Sequence, residues 1–114
     1  MAITEAYAGS QTATITTEHV LNTTSPETAD GIYQVFVDVA AMVAGDVTEI
    51  RVKEKAGSAT TQRTIFTSVL SGALSPDEAL WVSPTFVLLH GWDVTIKQTA
   101  GTGRAYPWSI RKVA

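Results

Sequence analysis

The chain has 114 residues, a mass of 12.1 kDa, a formal net charge of -3, a sequence pI near 5.2 and no cysteine. These values describe one domain, exclude disulfides and thiolate metal sites, and lack the basic excess that a nucleic-acid binder needs. Hydrophobic residues make up 45% of the chain and charged residues 17%, which leaves apolar surface of the kind a subunit interface covers.

The N-terminal stretch MAITEAYAGS has neither a basic region nor a continuous apolar run. No segment approaches the roughly 20 apolar residues of a membrane span, so the expectation is a soluble protein made in a cytoplasm, with no membrane partner. Residues 3 to 8 read as a weakly patterned arm. Residues 11 to 21 read as a threonine-rich strand with Ile15 and Val20 as core contacts. A long polar loop follows over residues 22 to 31, punctuated by Pro26, Asp30 and Gly31.

Residues 31 to 39, GIYQVFVDV, alternate most clearly. Tyr33, Val35, Val37 and Val39 point one way, and Ile32, Gln34, Phe36 and Asp38 the other. Both faces carry apolar residues, which suits a strand covered by the core on one side and by a partner or loop on the other. The next turn, AAMVAGD, tucks Met42 and Val43 inward. Residues 47 to 55 direct Ile50 and Val52 to the core, with Glu49, Arg51 and Lys53 toward water.

A further strand spans residues 62 to 72, with Ile65, Phe66, Val69 and Leu70 as its apolar positions. Beyond Pro76, short strands are expected at 80 to 82 and 85 to 90, then a turn at Gly91 and a strand at 92 to 99. A hairpin at Gly101 and Gly103 leads into residues 104 to 113, where Pro107 implies a bulge or an edge. The pattern is that of an all-β, single-domain antiparallel β-sandwich, jelly-roll-like or a small barrel, with about seven or eight strands. Residues 1 to 16 form its N-terminal arm or edge strand and residues 17 to 114 the sandwich.

Few side chains here resemble a catalytic set. Ser83, His90 and Asp93 are the residue types of a hydrolase triad, but they crowd around one predicted turn without a nucleophile elbow. His19 beside Glu18 is a weak start for a zinc site. Asp30, Asp38, Asp46, Asp77 and Glu78 read as turn caps rather than calcium ligands. Arg51, Lys53 and Lys55 alternate with Glu49 and Glu54 as a mixed-charge solvated face. Trp92 and Trp108 are expected in the core and Trp81 at its edge or in a contact, while an exposed set of Trp and Tyr would mark a sugar platform. Asn22, Thr23 and Thr24 form a sequon read as chance. The expectation is no enzyme activity, no cofactor and no metal.

The run LLHGWDVTIKQTAGTGRAYPWSIRKV, with VTEIRVKEKAGSATTQRTIF and GIYQVFVDVAAMVAGD before it, resembles small cysteine-free virion proteins of tailed bacteriophages. The nearest role within that group is capsid decoration. The resemblance implies a cement protein on the outer head surface, binding the major capsid protein between subunits, often as a homotrimer, with no direct nucleic-acid contact. Residues 2 to 16 are then expected to touch the capsid or a neighbouring protomer, through Ile3, Thr4, Tyr7, Thr12 and Thr14, with Trp81 as a further contact. Two other roles remain open: a carbohydrate-binding module or appendage on host glycans, and a head-to-tail connector or tail subunit forming rings of six.

Overall fold

The alternation of side chains sorts this chain into two packed layers. The computed structural model describes residues 2 to 113. Its strands are β1 (Ile3–Thr12), β2 (Glu18–Val20), β3 (Gly31–Asp38), β4 (Val47–Glu54), β5 (Arg63–Ser71), β6 (Leu80–Val82), β7 (Phe86–Leu88), β8 (Asp93–Ala100) and β9 (Ala105–Val113), with a short 3-10 turn at Pro76–Glu78. A five-stranded sheet runs β1-β9-β3-β6, with β7 also on β3, and a four-stranded sheet runs β2-β8-β4-β5; every pairing is antiparallel.

The pairs β1 with β9, β2 with β8, β3 with β6 and β7, and β4 with β5 are those of one long hairpin rolled up on itself. The contacts of β9 with β3 and of β8 with β4 close the roll. This wrapping is a jelly roll. Its sixth strand is broken in two, because Pro84 has no amide hydrogen to give. Ser83 bridges the break: its amide donates to the Val35 carbonyl at 2.9 Å, and its hydroxyl accepts from the Val35 amide at 2.9 Å.

Between the sheets lie Tyr33, Val35, Val37, Val39, Ile50, Val52, Val94, Ile96, Tyr106 and Ile110, all at most 1% exposed. Trp92, fully buried, packs against Tyr33 at 4.5 Å between ring centroids and meets Tyr7 of β1 edge-on at 6.3 Å. Its indole nitrogen donates to the Ala29 carbonyl, so the ring is both apolar filler and an anchor for the loop before β3. On the other flank Phe66 of β5 packs against Trp81 and Phe86, and the Trp81 indole nitrogen donates to Ser68, joining the two layers.

The corner where β8 turns into β9 carries a buried polar knot. Gln98 is fully buried. Its amide nitrogen donates to the carbonyls of Ala100 and Thr102, and its oxygen accepts from the Tyr106 hydroxyl and the Arg104 amide. All four of its hydrogen-bonding positions are thus filled. Since Tyr106 gives its single proton to Gln98, Thr48 is the donor in the 2.8 Å contact between the two hydroxyls. Beside them the Asp46 carboxylate, 1% exposed, accepts from Arg104 at 2.8 Å and from the Val43 amide. Gly103 is required here because a β-carbon would collide with the Ala13 carbonyl.

Several details differ from expectation. Residues 11 to 21 are not one strand. The chain must cross between the layers there, so β1 ends at Thr12, Thr16 adopts a positive φ of 65°, and β2 starts at Glu18 in the other sheet. Ala13 and Leu21 take the core positions, Ile15 is half-buried, and Val20 is exposed. Val43 also faces out, because Met42 fills the inward position and the Val43 backbone serves the Asp46 turn. Ile65 and Val69 lie on the outer side of β5, with Phe66 and Leu70 packed against the core. Trp108 is half-buried rather than enclosed, since β1 offers only Gly9 opposite it. Pro107 lies one residue beyond the last β3–β9 pair, Val37 with Trp108, so its missing donor breaks no ladder on that side.

The polar knot yields a direct test. Gln98→Leu keeps the volume and strands the Arg104 amide, the Tyr106 hydroxyl and two carbonyls in the interior. Urea unfolding should show a loss of about 2–4 kcal/mol, against less than about 1 kcal/mol for a polar change on a solvated face such as Thr67→Ser.

Candidate functional site

Each sheet has an outer face, and the two faces differ in chemistry. On the four-stranded sheet the register sets Glu18, Lys97, Glu49 and Val69 in one row and Val20, Thr95, Arg51 and Thr67 in the next. Charge is compensated locally there: Lys53 meets Glu18 at 3.1 Å and Arg51 meets Glu49 at 3.6 Å. Burial pushes the Glu18 carboxyl up, but hydrogen bonds from Thr95 and Lys53 more than offset this and hold it below its ordinary value. This is a solvated face, as the alternation of β4 predicts.

The outer face of the five-stranded sheet is built otherwise. One row crosses β1, β9, β3 and β7 as Ile3, Val113, Ile32 and Val87, each in register with the next. Ile3 is 68% exposed, Ile32 42% and Val87 79%. Two residues along, Glu5, Arg111 and Gln34 form a polar row, and beyond it Ala8, Ser109, Phe36 and Val82 form a second mainly apolar one. Leu80, 55% exposed, extends the apolar area at the β6 end. The Arg111 guanidinium stacks 3.7 Å above the Phe36 ring and its Nε donates to Ser109. A depression of about 200 Å³ adjoins it, lined by Phe36, Asp38, Leu80, Pro107, Trp108, Ser109 and Arg111. A stacked arginine in an apolar surround is the type of residue that dominates protein interfaces.

The residues singled out for chemistry are placed apart or tied up. The Ser83 hydroxyl donates to the Pro84 carbonyl while bracing Val35. Asp93 is buried and accepts from Asn22 and Gln62. His90 meets its surroundings through its backbone, donating to Glu54. His19 accepts from the Thr14 amide through Nε2. Among the described residues no group of three or more His, Asp or Glu side chains converges. Asp38 and Asp46 cap turns through the Ala40 and Val43 amides. Asn22 of the sequon is 2% exposed and holds Val94, Trp92, Asp93 and Thr24, a structural role its sequence context did not signal.

Glu54 also has a role that its strand position hid. It accepts from the amides of Lys55, Leu89, His90 and Gly91, fastening the turn before β8 to the end of β4. Burial pushes its carboxyl up, and the four amides together bring it below its ordinary value. It borders a cavity of about 570 Å³, with Lys55, Thr60, Thr61, Arg63, Thr64 and Ile65 also on the wall. With its oxygens engaged, the one carboxylate of that cavity is a fastener rather than an available base.

The proposed contact residues do not form one patch. Ile3 and Thr12 lie on the outer face of the five-stranded sheet, in register with Val113 and Ala105. Thr4 is exposed on β1, and Thr14 is exposed in the turn after it. Tyr7 points inward to Trp92, and Trp81 is half-buried at the opposite flank. Ile32, Phe36, Leu80, Val82, Val87 and Arg111 are not among the sequence-based contacts; the two-faced apolar pattern of residues 31 to 39 signals Ile32 and Phe36, and the others join them only through strand register. Comparison with protein-family models, with curated proteins and with solved structures finds no match for this chain.

The depressed carboxylates set a pH dependence. Asp46 is held low first by the Arg104 guanidinium and then by the Val43 amide, and Glu54 by its four amides. Their stabilisation is complete above the ordinary glutamate value of 4.5 and is lost as pH falls through the lower folded-state values. Thermal melts from pH 7 to pH 2.5 should show Tm falling only at the acid end, with a shallower fall in Asp46→Asn. Glu54→Ala should lose about 1–2 kcal/mol, since the freed amides reach water in part.

Proposed function

We propose that this chain is a structural subunit of a tailed-bacteriophage virion, a capsid decoration protein that stabilises the head shell by binding between major capsid subunits. The observation that carries the reading is the uncovered apolar face of the five-stranded sheet. Exposed apolar rows spanning every strand of a sheet mark a surface made to be covered. The jelly-roll wrapping adds a fold-level analogy, since viral capsid domains use it, and the resemblance of the sequence to phage virion proteins supplies the setting.

In this reading the shell contact is the free edge of β1, a ten-residue strand with one charged side chain, Glu5. Such an edge offers main-chain hydrogen bonds to an added strand regardless of sequence. Ile3, Thr4, Thr12 and Thr14 lie along it or beside it, while Tyr7 and Trp81 anchor the sandwich. The homotrimer belongs to the resemblance, and solution mass distinguishes it from the rings of six of a connector or tail subunit.

A second reading, adhesion to host-surface glycans, draws on the same wrapping, which lectins share. It needs aromatic rings exposed together on a flat face. Trp92, Tyr33 and Tyr106 are buried, and among the described residues Phe36 is the one ring on the apolar face, already covered by Arg111. The geometry favours assembly.

The test is co-sedimentation of the purified protein with expanded, empty tailed-phage heads. Saturable binding and a higher melting temperature of the decorated heads are expected. Failure to sediment at saturating concentration, with retention on an immobilised glycan panel, would replace this reading with the second.

A further inference from the structure

The bend after β1 holds the one non-glycine residue with a positive φ among the described residues, Thr16 at 65°. A β-branched side chain is disfavoured in that region, because its β-carbon crowds the backbone. Residues 11 to 21 alternate in sequence as one continuous strand, yet here they break so that β1 and β2 lie in different sheets of one molecule. Local preference and the closed fold thus pull in opposite directions at Thr14 to Thr17. Three hydrogen bonds hold the bend shut. The Thr17 amide donates to the Thr14 carbonyl at 3.0 Å, the Thr16 amide to the Gln98 carbonyl at 2.7 Å, and the Thr14 amide to Nε2 of His19 at 3.1 Å. Thr14, Thr16 and Thr17 are exposed, so water can take up the groups that opening frees.

We infer that β1 is an exchangeable arm: the bend straightens, and β1 leaves its own β9 to take the same place on β9 of a second copy. The closed molecule itself defines the occupant. Within its sheet β1 pairs with β9 alone, from Ile3 with Val113 to Thr12 with Ala105, and Tyr7 seats against Trp92. The β1 of a second copy has the same side chains and refills that place contact for contact. Ala13 travels with the arm, its amide again donating to an Arg104 carbonyl. Closed and exchanged forms therefore differ at Thr14 to Thr17, which is the condition for exchange of an identical element at low cost. Extended chain spans about 17 Å from Ala13 to Glu18, enough to carry it from one molecule to its neighbour. Straightening also releases Thr16 from its strained conformation. The exchange needs no phage shell, so it stands or falls apart from the decoration reading.

The chain has no cysteine, so a disulfide between register partners reports which copy holds the arm. Thr12 and Ala105 are paired and both exposed. Thr12→Cys and Ala105→Cys, each prepared alone, should give little cross-linked product, because neither residue faces its own counterpart. Refolded together at high protein concentration and mildly oxidised, they should give a covalent dimer containing one of each. Both changes in one chain should give disulfides between chains. Two hinge variants should act in opposite senses on the balance read by light scattering. Thr16→Gly accepts a positive φ without strain and should move it toward the closed monomer by roughly tenfold. His19→Phe removes the acceptor that latches Thr14 and should move it toward the exchanged form. Circular dichroism checks that both variants fold. Disulfides only within chains, absence of the mixed product, or hinge variants that leave the balance unmoved or shift it the other way would each overturn the exchange. Heads bound by a strictly closed monomer would overturn it and leave the decoration reading standing. Arms that exchange in a protein that binds no heads would leave the exchange standing without the shell.

Discussion

The corner between β8 and β9 is the point on which the wrapping depends. A rolled hairpin must pass from one layer to the other several times, and each passage removes backbone groups from their ladders. At this corner four strands of both layers converge: Ala13 follows β1, Asp46 precedes β4, Gln98 lies close to the end of β8, which finishes at Ala100, and Arg104 precedes β9. The Ala13 amide donates to the Arg104 carbonyl at 2.8 Å, and the Thr16 amide to the Gln98 carbonyl at 2.7 Å. Gln98 and the Asp46–Arg104 pair fill the remaining donors and acceptors from inside. Burying a charged aspartate is costly unless it is paired and hydrogen-bonded, and here it is both. Polar groups thus specify how the layers are joined, while the apolar core between them supplies the drive to collapse.

That division explains what was legible beforehand. Strands β3, β4 and β9 could be read because Val35, Val37, Ile50, Val52, Tyr106 and Ile110 recur with period two. The number and spacing of such segments gave an antiparallel sandwich or small barrel, and the strand pairing decides for the jelly roll. The break between β1 and β2 could not be read, because a run of Thr residues alternates equally well through a crossover as through a strand. Glu54 and Asn22 looked like surface residues, and only the approach of residues distant in sequence, Leu89 to Gly91 and Trp92 to Val94, gives them their roles. The candidate surface was half legible. Residues 31 to 39 announced two apolar faces, but alternation cannot tell which face the second layer covers. The row from Ile3 to Val87 joins four segments that become neighbours only through register.

The contrast between the two outer faces is what directs the functional reading. Both sheets have similar extents and lie on the same core, so folding alone places no different demand on their solvent sides. One nevertheless carries the ion pairs Lys53–Glu18 and Arg51–Glu49 beside exposed Val20, Ile65 and Val69, and the other carries Ile3, Ile32, Leu80, Val82 and Val87 uncovered. A lone exposed leucine needs no account. Apolar residues aligned in register over every strand of one face, with a stacked arginine among them, have the anatomy of an interface core.

Face and edge also have different availability. β5, the long edge strand of the four-stranded sheet, is tied to the other layer by Phe66 and Ser68 through Trp81 and Phe86. β2, β6 and β7 have three residues each, too short to template much pairing. β1 is the long edge whose opposite number in the other sheet, β2, covers little of it.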